Sequence, residues 1–377
     1  VLILTAGFGE GHNAAARNLR DALLVLEPGM RVEMRDIFAE AYPRLTPMCV
    51  RGYLHMINRL PHVWQIVFDW LDRSSAVADR IGVFGAAARR LASLLDEFRP
   101  EVIVSTYPGC NHLLDALHAK GRPRDYRHVT IITDSLTINR VWITGHSDVF
   151  IVANEPTAEV VRGLGVPPEK LRVGGFPVPA FFAQARPPKV PPAPGGKWRV
   201  LFMVNSGRHL ALEAVRHLLT LENVALTVTV GRDAALEQRV RSLGNVEVFG
   251  WTKELPRLMA EAHIVVSKAG GATVQECLAA ATPMLVSQVV PGQEEGNARL
   301  IAEAGAGAIA TNAEAIARAV RDATAEDGAL WSQWHAAAQI LGHPHAAREI
   351  AEWILAGGIP EDSRNGGRKE CGAMRID

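Results

Sequence analysis

The chain has 377 residues, 48% of them apolar and 21% charged, which is enough material for two globular domains with their own cores. The 40 lysines and arginines balance 40 aspartates and glutamates, excluding the global basic field that attracts nucleic acid. Cys49, Cys110, Cys277 and Cys371 form no C-x-x-C pair, which argues against a zinc site or a disulfide framework and for a reducing compartment. No basic leader precedes the opening run Val1–Leu4, and no apolar stretch approaches ~20 residues. The expectation is a soluble cytoplasmic protein, with a short N-terminal piece missing ahead of Val1.

Short apolar runs alternate with helical patterns along the chain. Val1–Thr5 reads as a buried strand and Asn13–Leu26 as a helix, followed by strands at Val102–Ser105, Val129–Thr133 and Val149–Val152. The rhythm resumes with strands at Val200–Val204, Leu226–Val230, Val246–Phe249, Ile264–Ser267 and Met284–Val286. Continuous apolar strands separated by helices indicate parallel sheets covered on both faces. Between the two series, Arg186–Lys197 carries prolines at 187, 188, 191, 192 and 194 and glycines at 195 and 196, a composition that no regular element survives. The α/β organisation expected is two doubly wound, Rossmann-like domains, 1–185 and 198–345, joined by a linker at 186–197. Residues 346–357 are expected to form a helix packing back on the first domain, and the polar tail 358–377 to be disordered. Ligands of such folds bind beyond the carboxyl ends of the strands, here in the interdomain cleft.

Five motifs stand where ligands would. Gly7-Phe8-Gly9-Glu10-Gly11-His12 follows the first strand and opens the first helix, and its glycines permit close backbone approach. It is not a dinucleotide fingerprint, because the spacing is G-x-G-x-G and no acidic residue suitably ends a following strand, and with no G-K-[ST] it is not a P-loop. An ordinary strand-to-helix turn capped by His12 explains it equally well. Ser267-Lys268-Ala269-Gly270-Gly271-Ala272-Thr273 leads into a helix and offers free N–H groups to a pyrophosphate. Glu276, one turn inside, is suited to ribose hydroxyls or simply complements the helix dipole. Pro291-Gly292-Gln293-Glu294-Glu295-Gly296-Asn297 sets amides and carboxylates at the sheet mouth for sugar hydroxyls, unless it is a solvated loop. Thr133-Asp134 ends a strand with Trp142 following; a lone Asp is more often a cap. Ala41–Phe68 interleaves Arg44, Arg51 and Arg59 with Tyr42, Tyr53, Trp64 and Phe68 and holds no acidic residue. That pattern suits an anionic membrane surface, or a core-packing helix pair.

Taken together and in this order, the motifs resemble glycosyltransferase family 28, in particular its glycolipid branch of monogalactosyldiacylglycerol synthases and processive diacylglycerol glucosyltransferases. The carrying residues are the loop ending in His12, Thr133-Asp134 with Trp142, Gly174-Gly175-Phe176-Pro177-Val178, Lys268–Glu276 and Pro291–Asn297. The resemblance implies a GT-B fold, with a UDP-sugar on the C-terminal domain and a diacylglycerol-type acceptor on the N-terminal one. By position, Ala269, Gly270, Gly271, Ala272 and Thr273 would cradle the diphosphate together with Gly11, and Glu276 would hold the ribose. Gly250, Trp251 and Thr252 would present backbone to the uracil, and Gln293, Glu294 and Asn297 would hold the hexose. Two departures stand out. Val204-Asn205-Ser206-Gly207-Arg208 replaces the family's glycine run, with Ser206 and Gly207 near the donor and Arg208 offering a phosphate contact. Asn139 lies where glycolipid members often carry His.

In this family transfer inverts the anomeric centre, giving a β-glycoside of galactose or glucose. His12 is the candidate base, since an imidazole can be neutral near pH 7, with Asp134 orienting it or acting as the base itself. No Asp-x-Asp is present, so no essential metal and no tightly bound cofactor are expected. The protein would then sit peripherally on the inner face of the cell membrane, touching it through Arg44, Arg51, Tyr53, Arg59 and Trp64. Three alternatives stay open: N-acetylglucosaminyl transfer to a peptidoglycan lipid intermediate, a UDP-sugar epimerase of the same fold, and a non-catalytic sugar-nucleotide-binding module.

Overall fold

The computed structural model describes residues 1–357 except Phe8, Pro47, Val50, residues 53–84, Ser206 and Gln293. The expectations on Tyr53, Arg59, Trp64, Ser206, Gln293 and the tail 358–377 therefore lie outside the described residues.

The N-terminal half runs β1 (Leu2–Thr5), α1 (Glu10–Leu26), β2 (Glu33–Asp36), α2 (Ile37–Ala41), α3 (Gly85–Phe98), β3 (Val102–Ser105), α4 (Pro108–Ala119) and β4 (Arg127–Ile131). It continues through α5 (Val141–Thr144), β5 (Val149–Val152), α6 (Glu155–Gly163) and β6 (Leu171–Val173). Its strands form a six-stranded sheet of order β2-β1-β3-β4-β5-β6, parallel at every pairing. After a segment with no helix or strand between Ala183 and Trp198, β7 (Trp198–Met203), α7 (Arg208–Leu219), β8 (Val224–Thr229), α8 (Ala234–Arg241) and β9 (Val246–Phe249) open the second half. Then come α9 (Leu255–Glu261), β10 (Ile264–Lys268), α10 (Gly271–Ala279), β11 (Met284–Gln288), α11 (Glu295–Glu303) and β12 (Gly307–Ile309). Three helices finish the described chain: α12 (Ala313–Thr324), α13 (Ala329–Leu341) and α14 (Ala346–Leu355). The second sheet is also six-stranded and parallel, of order β12-β11-β10-β7-β8-β9.

The local chemistry explains these elements. In α1 the residues His12, Ala15, Ala16, Leu19 and Leu23 recur at three- and four-residue spacing and form the buried stripe. Asn154 and Asn312 cap α6 and α12 by accepting from Thr157 N at 3.1 Å and Ala315 N at 2.8 Å. The strands β1, β5 and β10 are mostly apolar and almost wholly buried, because helices cover both faces.

Two packing features set the relation of the halves. Ile350, Ala351 and Ile354 of α14 pack with Ile3, Ala16, Leu19 and Leu23, so the last described helix completes the N-terminal core. Phe176, Val178 and Phe182, beyond β6, pack with Leu201, Met203, Leu258 and Met259 of the second half. Helix α1 lies against α10, which brings the two sheets' carboxyl ends face to face.

Candidate active site

His12 sits in the first turn of α1, 8% exposed, at the mouth of the cleft. Its Nδ1 lies 2.8 Å from Thr106 O and 2.9 Å from Thr133 Oγ1. A carbonyl oxygen only accepts, so Nδ1 carries the proton and Nε2 is left as the basic nitrogen. No hydrogen bond joins Nε2 to a described residue. Burial pushes the imidazole below its ordinary value, and the Asp134 carboxylate opposes that shift. Burial raises Asp134, while His12 and a 2.7 Å hydrogen bond from Trp142 Nε1 hold it back. Tyr107 meets the imidazole edge-on at 5.2 Å and Trp142 at 5.9 Å, so aromatic rings wall the base. Asn139 is buried and turns its Oδ1 to Val141 N at 3.0 Å.

Sequence reasoning found no acidic residue at a suitable strand end, and Asp36 corrects this. It ends β2, and its carboxylate accepts from Gly7 N at 2.8 Å and Ala39 N at 2.9 Å. The strand escaped notice because Glu33-Met34-Arg35-Asp36 has no apolar run; Asp36 braces the glycine-rich loop from within.

Across the cleft stands the N-terminus of α10. Ala269 N is spent on Gln288 O at 3.0 Å and Gly270 N on Lys268 O at 2.9 Å. The first intrahelical bond is Val274 N to Gly270 O, so Gly271, Ala272 and Thr273 supply the helix's unpaired N–H groups. The cradle expected over Ala269–Thr273 thus narrows to its last three residues. Gly11 faces it: a Cβ there would stand 3.8 Å from Ala272 N. Two positive helix ends, of α1 and α10, therefore converge on one space. Glu276, a turn inside α10, makes no hydrogen bond to a described residue. Burial pushes its carboxyl up to about 7, against the pull of Arg17.

The residues expected around the sugar are partly committed elsewhere. Glu294 is buried, pairs with Lys268, and accepts from Val290 N at 3.2 Å. Asn297, 2% exposed, donates Nδ2 to Ala269 O at 3.0 Å, and its Oδ1 has no partner among the described residues. Gln288 Oε1 is likewise buried without a partner among the described residues, a position that sequence reasoning did not single out. Arg208, expected to reach a phosphate, instead grips Asp233 through two bonds of 2.6 and 2.8 Å. Gly207 beside it is exposed. Trp251 is 61% exposed between Gly250 and Thr252, and Thr252 Oγ1 accepts from Glu254 N at 3.0 Å. In the acceptor segment Arg44 and Arg51 are exposed, as are Leu45 and Met48 between them. No described helix is long and apolar enough to cross a membrane, and no three His, Cys, Asp or Glu among the described residues cluster as metal ligands.

A buried imidazole across a cleft from a helix N-terminus, between two doubly wound sheets, is an arrangement of the GT-B fold. Known proteins agree. Residues 12–178 match the monogalactosyldiacylglycerol (MGDG) synthase family, and residues 209–347 match the glycosyltransferase family 28 C-terminal domain. The two matches lie in different halves of the chain and agree with the glycolipid branch of glycosyltransferase family 28. A processive diacylglycerol beta-glucosyltransferase of Bacillus cereus (strain G9842) is 25% identical, the match covering 94% of this chain and 93% of the relative. Among solved structures, Acinetobacter baumannii MurG superposes with a TM-score of 0.61 at 14% identity, covering 94% of this chain and 99% of that one. A Staphylococcus aureus MnaA–UDP structure gives 0.59 at 15% identity over 94% and 96%. These two likenesses establish the fold.

Proposed function

We propose that the protein transfers a hexose, glucose or galactose, from a UDP-sugar to the free hydroxyl of diacylglycerol, with inversion, giving a β-glycolipid. The observation that carries this is His12, buried, with its proton held on Nδ1 and a basic Nε2, opposite the open N-terminus of α10. The names of the matched family and of the Bacillus relative support the acceptor, and the UDP in the MnaA structure supports the donor.

The acceptor oxygen attacks the anomeric carbon as its proton passes to Nε2, and the bond from that carbon to the UDP oxygen breaks. The departing charge is met by the N–H groups of Gly271, Ala272 and Thr273 and by the α10 dipole. Asp134, held by Trp142, stabilises the imidazolium that forms. Glu276 takes the ribose hydroxyls and Asn297 Oδ1 a sugar hydroxyl. The uracil edge meets the backbone of Gly250, Trp251 and Thr252. No essential metal is needed, because the helix N-terminus does its electrostatic work. Leu45 and Met48, flanked by Arg44 and Arg51, touch the anionic inner face of the cell membrane.

Replacement of His12 by Ala is the test. Transfer to lipid is expected to fall by about 10²–10⁴, with UDP binding kept. Wild-type transfer by the variant would eliminate His12 as the base.

A further inference from the structure

The loop after β4 touches three things at once. Thr133 is 4% exposed, and its Oγ1 receives the proton side of His12 Nδ1 at 2.9 Å. The backbone oxygen of the same residue faces the first residue of α10: a Cβ on Gly271 would stand 2.8 Å from it. Two residues on, Ser135 is 1% exposed and accepts at Oγ from Gln275 Nε2 of α10 at 3.2 Å. Its backbone oxygen, with Thr137 N, fills the space where a Cβ on Gly296 of α11 would stand. Any side chain at Gly296 would drive the halves apart. Glycine is required at this position for close approach between domains, not for an unusual turn.

We propose that Thr133 and Ser135 form a strut by which seating of the donor domain sets the orientation of His12. The inference rests on His12 being the base. α10 and α11 carry the groups assigned to diphosphate, ribose and hexose, and both abut this loop through glycine. When they seat against Thr133 and Ser135, the loop is fixed between them and the imidazole. Thr133 Oγ1 then holds the ring edge that Thr106 O alone would leave free to swing about one contact. A half withdrawn from the loop releases Thr133, so the base is aligned only when the donor side is in place. Thr133 and Ser135 are positioning residues: each acts through another group. The strut would limit activation of water before an acceptor and donor are both enclosed.

The experiment compares Thr133→Val, Thr133→Ser and Gly296→Ala with wild type and His12→Ala, using the full chain. Thr133→Val keeps the shape and removes the oxygen. It is expected to lower kcat about tenfold while leaving the donor KM within about twofold, the loss of one buried hydrogen bond felt in the transition state. Thr133→Ser should restore kcat. Gly296→Ala should lower kcat by a similar factor and leave UDP affinity, measured by calorimetry, within about threefold, because UDP does not reach α11. If near-ultraviolet dichroism shows Gly296→Ala to be misfolded, Gln275→Leu, which removes the bond to Ser135 from the α10 side, replaces it with the same expectation for kcat. Wild-type kcat in Thr133→Val, or in whichever of Gly296→Ala and Gln275→Leu is used, with His12→Ala inactive, would overturn the strut and leave the base standing. An active His12→Ala would overturn the base assignment itself.

Discussion

Glu276 is placed to trade stability for binding, and its replacement by Gln separates the two. Burial raises its carboxyl from 4.5 to about 7 in the folded protein. A raised carboxyl means that the folded state holds the proton more tightly than the unfolded one. Below the unfolded value both states are protonated and the site costs nothing. As pH rises from 4.5 to 7 the unfolded chain ionises first, and stability is lost across that window. Above it the loss is complete, at most about 3.5 kcal/mol at about 1.4 kcal/mol per pH unit across that window. Gln mimics the neutral acid, so Glu276→Gln should be more stable than wild type at pH 8 by that amount. The gain should vanish near pH 4.5. For a domain of about 150 residues the difference corresponds to about 2–4 °C in Tm per kcal/mol. If Glu276 holds the ribose as proposed, the same change removes a charged acceptor from it and should weaken UDP binding by about 1.5–3 kcal/mol, or roughly 10- to 100-fold. Thermal melts from pH 4.5 to 8 and calorimetric UDP titrations make the check. A variant less stable at pH 8, or one that binds UDP as wild type does, would refute the burial argument or the ribose role respectively.

Trp331 is 1% exposed, donates Nε1 to His263 O at 2.7 Å, and stacks on His335 at 4.9 Å and edge-on to Trp198 at 5.4 Å. Trp331→Ala should cost about 3–5 kcal/mol in urea unfolding, since it empties a core site and leaves a carbonyl unpaired. In the proposed mechanism backbone N–H groups meet the leaving charge, so a chelator should leave transfer activity intact; complete loss would require a metal. Replacing Arg44, Leu45, Met48 and Arg51 by Ser should weaken sedimentation with anionic liposomes without lowering UDP affinity, and unchanged liposome binding would remove the membrane role of this segment.

Short runs dominated by apolar residues made most strands legible: β3, β5 and β9 fall on the residues read from the sequence alone, although β9 is an edge strand. The strands missed were β2, β6 and β12, the outer members of the two sheets apart from β9. At an edge one side meets solvent, so Glu33–Asp36 can be polar, and Leu171–Val173 and Gly307–Ile309 can be too short to register. The site divides in the same way. His12, Gly11 and the start of α10 follow from glycines at strand-to-helix junctions, a local signal. The partners that give them meaning are distant: Thr106 lies 94 residues from His12, and Ser135 lies 140 from Gln275. Nothing in the letters told that Arg208 would be gripped by Asp233, or that Ala269 and Gly270 would spend their N–H groups inside the loop.

The most direct test offers radiolabelled UDP-glucose, UDP-galactose and UDP-N-acetylglucosamine separately, each with and without diacylglycerol in mixed micelles. Label entering the lipid phase from one of the two hexose donors, only when diacylglycerol is present, is the predicted result. Conversion of the UDP-sugar with no lipid present, or label in lipid from none of the three, would contradict the account.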